Sequence, residues 1–154
     1  HPFAVGSARD ARYPASPAQA TRDARAMAQG ARNVSGGCFQ VNIRVHAKES
    51  PAWVFDPAAS ASFAAGLLDD LHDRHGTWAA ALAGYSGAAP GSGTGRAYAC
   101  RVRAALAEVA PASVAAVRPG ACAAGTTRAM RAKATSLLAL TGASEVELAE
   151  APDR

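Results

Sequence analysis

Apolar positions recur at helical spacing along much of the chain. Phe63, Leu67, Leu68 and Leu71 fall on one face of a stretch that opens at Asp56-Pro57 and closes before Gly76, while Asp69, Asp70 and Asp73 lie mostly elsewhere. That pattern predicts an amphipathic helix with one face on a core. Asp56 suits its N-cap, and Pro57 its first turn, where a missing N–H costs nothing. Ser16-Pro17-Ala18-Gln19 announces an earlier helix by the same logic, with Gln19 placed to complete a capping box and Gly30 to end it. Thr77 caps a third, carrying Trp78, Leu82 and Tyr85. A Gly/Pro/Ser-rich stretch over 87–95 reads as a loop, and a fourth helix follows over about 96–110, stopped by Pro111. A further Ala-rich helical stretch is expected over about 127–140. Strand signals are confined to short pieces: Phe39-Gln40-Val41 and Ile43-Arg44-Val45, with Phe3-Ala4-Val5 and Arg12-Tyr13-Pro14 as extended or loop segments. The fold class is therefore mainly α with short extended segments.

Composition limits the core. Ala fills 42 of the 154 positions, so more than half of the 49% hydrophobic content is methyl-sized. The larger apolar residues concentrate before Pro111. Residues 1–110 are read as the domain proper, and 111–154 as an Ala-rich tail that packs on it or stays partly disordered. No run of apolar residues reaches transmembrane length. The net charge of +4 comes from 16 basic and 12 acidic side chains, and only Lys48 and Lys133 of the basic ones are Lys. They form no stripe with interleaved aromatics, so nucleic acid is not expected as a partner. The chain opens at His1-Pro2 with neither a basic n-region nor an apolar h-region, so a targeting segment, if there was one, is expected to lie outside it.

Cys38, Cys100 and Cys122 match no zinc or redox spacing. One disulfide with a free thiol, a partner cysteine elsewhere, or buried reduced thiols all remain open. His72 and His75 sit three apart on a helix but have no visible third ligand, so no metal and no cofactor is expected. His75, close to a helix C-terminus, suits the dipole there.

The most informative run is Gly36-Gly37-Cys38-Phe39-Gln40-Val41-Asn42. The Gly pair permits close approach of another chain to the backbone, and the two amides offer donor and acceptor together, as sugar hydroxyl and N-acetyl groups require. The same residues can equally serve a turn, Gln40 by tying down backbone and Asn42 by capping. The run resembles the Gly-Leu-Met-Gln-Ile-Asn type signature of the soluble lytic transglycosylases, lysozyme-like enzymes that cleave bacterial peptidoglycan. His46, then Phe55-Asp56-Pro57 opening a long helix, Gly76-Thr77-Trp78 and Ala81-Leu82-Ala83-Gly84-Tyr85-Ser86 follow that family's order. His1-Pro2-Phe3-Ala4-Val5 and the helix from Pro17 are similar to an insertion in one branch. The match covers about residues 1–105. Cys38 and Phe39 replace the commoner Leu and Met, and Ser86 replaces an Asn.

The resemblance implies a lysozyme-like helical domain of the goose-type or lytic transglycosylase kind. It implies cleavage between N-acetylmuramic acid and N-acetylglucosamine by one Glu, acid then base, with the muramic 6-hydroxyl forming a 1,6-anhydro product. Gln40, Asn42 and Tyr85 match its substrate-binding positions. The Glu is expected on a helix before His1, because the carboxylates ahead of Gly37 are only Asp10 and Asp23 and neither fits the motif. Glu49-Ser50 imitates the motif pair but follows the Gln run, and is read as a loop. The partner implied is peptidoglycan glycan strands, in a periplasmic or extracellular setting, with a secretion or flagellar assembly as the larger machine. The alternative is a non-catalytic peptidoglycan-binding or scaffolding module, and a water-using lysozyme is the nearest enzymatic rival.

Overall fold

The structure, a computed structural model, describes residues 1–122; the helix expected over 127–140 lies outside them. The described chain is mostly helical with a small antiparallel sheet. It divides into two compact units, His1–Asp70 and a second that begins at Leu71. No helix among the described residues is long and apolar enough to cross a membrane.

In the first unit the strands β1 (Val5–Gly6), β2 (Ala11–Arg12), β3 (Ser35–Gly36) and β4 (Val41–Asn42) form one sheet in the order β2-β1-β3-β4, antiparallel throughout. Helix α1 (Pro17–Gly30) follows β2, and Ser16 Oγ accepts from Gln19 N at 3.3 Å as its N-cap. Ala20, Ala24 and Met27, spaced to share one face, are buried. They meet Val5, Val34, Val41, Ile43, Val54 and Phe55 in a core whose small members let the short sheet and α1 lie close. A 3-10 turn at Pro51–Phe55 contributes Val54 and Phe55, the latter only 2% exposed.

Two strand expectations are corrected. Phe39-Gln40 lies in the turn between β3 and β4, and Ile43-Arg44-Val45 is part of α2 (Ile43–His46), a single helical turn. Asn42 decides the second case: its Oδ1 accepts from Val45 N at 3.3 Å, a capping bond that outweighs the β preference of Ile and Val over so short a run.

Helix α3 (Pro57–His75) runs as expected, with Asp56 Oδ1 accepting from Ala59 N at 2.9 Å. Its buried positions are Ser60, Ala64 and Leu71, and Phe63, Leu67 and Leu68 are half-buried beside them. The division between units falls within α3.

In the second unit α4 (Trp78–Tyr85) is capped by Thr77, whose Oγ1 accepts from Ala80 N at 3.3 Å. Helix α5 (Gly93–Val109) starts inside the stretch read as a loop, because Ser92 Oγ caps it through Gly95 N at 3.1 Å. Gly95 belongs there for packing: a Cβ on it would lie 2.6 Å from the Ala83 Cβ, so α4 and α5 approach at near-backbone distance. After Pro111 the chain makes a 3-10 turn to Ala116, buries Val117, and is tied back to α5 by a Cys100–Cys122 disulfide. Of the three pairings open from sequence, one disulfide with a free thiol is realised, and Cys38 is exposed.

Candidate functional site

The motif run folds as a hairpin: Gly36 pairs with Val41 across a turn at 37–40. Both glycines are required by what packs on them. Gly37 has φ +74, and a Cβ there would stand 2.2 Å from the Val54 carbonyl oxygen. A Cβ on Gly36 would meet Ile43 Cδ1 and Phe55 Cε1 at 3.0 Å each. The chain that approaches the Gly pair is thus the protein's own 3-10 turn, which seats the hairpin against the core.

Gln40 closes the turn with φ +50, the only non-glycine in the left-handed region among the described residues. That conformation costs on the order of 1–2 kcal/mol for a side-chain-bearing residue. Gln40 is held by its own backbone N–H donating to the Gly37 carbonyl at 3.3 Å and by Nε2 donating to the same oxygen at 2.9 Å. The side chain is exposed, and its Oε1 accepts no hydrogen bond from a described residue. Gln40 therefore ties down backbone, and its Oε1 keeps its acceptor capacity near Gly6 of β1, 3.9 Å from where a Cβ on that glycine would stand. Phe39, beside it, is 39% exposed. Asn42 is half-buried, with Oδ1 committed to the α2 cap.

Arg12 binds Asp10 at 3.0 Å and Asp23 at 3.5 Å, joining β2 to α1. Glu49 is exposed in the loop between α2 and the 3-10 turn. It lines a pocket of about 370 Å³ with His46, Ser50 and Trp53. Trp53 and His46 each pack on Phe63, at 4.9 and 5.1 Å between ring centroids. Burial lowers the His46 pKa from 6.5, so its imidazole is neutral at pH 7. Sequence reasoning passed over Trp53, which stands outside the ordered motif. Its signal was the Ser50-Pro51 step, which starts the 3-10 turn that carries it.

Tyr85 belongs to the second unit and is described within it. It ends α4 and is half-buried. Burial, and then the neighbouring Tyr98, push its pKa up to about 12, so the phenol keeps its proton at neutral pH. Ser86, where the family pattern has Asn, turns its Oγ back to the Ala83 carbonyl at 2.7 Å. His72 lies on Trp78 with centroids 4.3 Å apart. Among the described residues no group of three His, Cys, Asp or Glu is placed to hold a metal ion.

No protein-family model matches the chain, and no curated protein and no solved structure matches it.

Proposed function

We propose that this chain is the glycan-holding portion of a lytic-transglycosylase domain of lysozyme-like fold that acts on bacterial peptidoglycan. The observation that carries the reading is the hairpin at 35–42. The run that bears the motif is a built element, braced at both glycines, with a strained Gln40 whose Oε1 accepts no hydrogen bond from a described residue. A mostly helical chain with a small antiparallel sheet suits the proposed fold.

In this reading Gln40 accepts from a sugar hydroxyl or acetamido N–H, and Asn42 orients the segment through its cap and offers its amide N–H₂. The proton donor is a Glu on the helix that, in this family's order, precedes the segment matched by His1-Pro2-Phe3-Ala4-Val5. Asp10 and Asp23 are committed to Arg12, which fits that assignment. A partly apolar cleft would keep such a Glu protonated near neutral pH. The reading places the protein in the periplasm or outside the cell, where a disulfide such as Cys100–Cys122 persists.

The test is binding of peptide-free N-acetylglucosamine–N-acetylmuramic acid oligomers to the full chain. Gln40→Gly relieves the left-handed strain while removing the amide, so stability should change by less than about 1 kcal/mol, the hydrogen bond lost offsetting the strain relieved. Affinity for the glycan should fall about tenfold, the effect of one lost hydrogen bond to a desolvated partner. Absence of glycan binding, or a Gln40→Gly variant that binds like wild type, would overturn the reading. Binding with no turnover by the native protein, upstream sequence included, would leave a non-catalytic wall-binding module.

A further inference from the structure

The first unit contains a second pocket, of about 400 Å³, formed where the C-terminal half of α1 meets α2 and the segment after it. Its floor is apolar: Ile43 and Pro51 are buried and Ala28 is half-buried. Its rim carries three cations, Arg25, Arg44 and Lys48, with the Gln29 amide beside them. No carboxylate lines it, and none of the three cations pairs with a carboxylate among the described residues.

One of these charges has an internal task. Helix α1 has no basic residue in its last turn. Arg44 Nη1 donates instead to the Ala28 and Ala31 carbonyls, at 2.6 and 3.2 Å, and supplies the cation that the helix C-terminus favours. That bond also fixes the guanidinium in place beside the pocket. Arg25 and Lys48 are surplus to it: both are exposed, and they face the same concavity without a counter-charge.

An aliphatic floor beneath two uncompensated cations selects an anion carried on a small apolar body. The volume lies in the range of small-molecule sites and far exceeds what a bare inorganic anion fills. With no aromatic residue in the lining, the pocket offers no platform on which a nucleobase would stack. We infer that this pocket binds a short peptide with small aliphatic side chains and free carboxylates and, resting on the glycan reading above, that the peptide is the stem carried by muramic acid. Arg25 and Lys48 take the carboxylates, and the alanyl methyls lie on Ala28, Ile43 and Pro51.

Calorimetric titration of the full chain with the free stem pentapeptide, without sugar, tests this. The same peptide with its carboxylates amidated, and inorganic phosphate, are the comparison ligands. The free peptide should bind, the amidated one at least tenfold more weakly, and phosphate more weakly still. The double variant Arg25→Gln, Lys48→Gln should lose at least tenfold in peptide affinity while binding peptide-free glycan like wild type. The inference fails if wild type does not bind the free peptide, if the amidated peptide or phosphate binds as tightly, or if the double variant keeps its peptide affinity. Peptide binding without glycan binding would uphold the pocket and remove the wall assignment. Glycan binding without peptide binding would remove the pocket alone. The amidation comparison needs no variant, so the outcome does not depend on how the substitutions fold.

Discussion

Replacing Gly37 by Ala should dismantle the hairpin without touching its amides. Two costs add at that position. At φ +74 a Cβ in the left-handed region costs on the order of 1–2 kcal/mol. The added methyl would also stand 2.2 Å from the Val54 carbonyl oxygen, a backbone atom in a turn whose side chains are buried, so the hairpin and the Pro51–Phe55 turn must move apart. Overpacking of that kind costs about 1–3 kcal/mol. The expected destabilisation is roughly 2–5 kcal/mol, a large part of the stability of a small domain. Denaturant unfolding followed by tryptophan fluorescence reads it directly, because Trp53 sits in the same turn; a Trp78→Phe background removes the signal of the second unit. Gly66→Ala is the control. Gly66 lies inside α3 with nothing within 4 Å of a built Cβ, so alanine there should stabilise by about 0.5–1 kcal/mol. A Gly37→Ala protein within about 0.5 kcal/mol of wild type would refute the packing argument, since that margin is what an unconstrained surface site shows.

Three further outcomes follow from the structure. Burial lowers the His46 pKa from 6.5, so its share of the stability is present above pH 6.5 and is lost as pH falls through the folded-state value. NMR titration of its imidazole should show a midpoint below 6.5, and a midpoint at or above it would contradict the burial account. Tyr85, raised to about 12, keeps its contribution below pH 10 and loses it as pH climbs from 10 towards 12; ultraviolet titration should show a high step that Tyr85→Phe reduces, the remainder belonging to Tyr98, which burial also raises. Reducing the Cys100–Cys122 bond opens a loop of sequence separation 22 and should cost about 3 kcal/mol by loop entropy, seen through Trp78. Thiol titration of the folded, unreduced chain should find the single exposed Cys38, and finding none would contradict the pairing.

What could be read in the sequence was local chemistry. Ser16, Asp56 and Thr77 each cap the helix they were expected to cap, since a capping bond spans only three residues and needs no tertiary information. Two other caps are just as local and went unread: Ser92 starts α5 inside the Gly-rich stretch, and Asn42 turns Ile43-Arg44-Val45 into a helical turn. What could not be read locally is what packs on the glycines: Gly95 lies against Ala83 of another helix, and glycine alone reads as a loop. The Gly pair was legible as a place of close approach, but not that the Val54 backbone is what approaches. The cations of the basic pocket were invisible as a set, because Arg25 and Lys48 come together only when α1 folds beside α2.

Turnover separates a lytic enzyme from a hydrolase or a binding module. The native gene product, with whatever sequence precedes His1, should be incubated with purified peptidoglycan and its soluble fragments analysed by mass. Under the proposed function the fragments are muropeptides ending in a 1,6-anhydro ring, one water lighter than hydrolytic products, and they disappear when the Glu that the proposal expects upstream is changed to Gln while glycan binding persists. Reducing-end fragments, or anhydro fragments that survive that substitution, would contradict it.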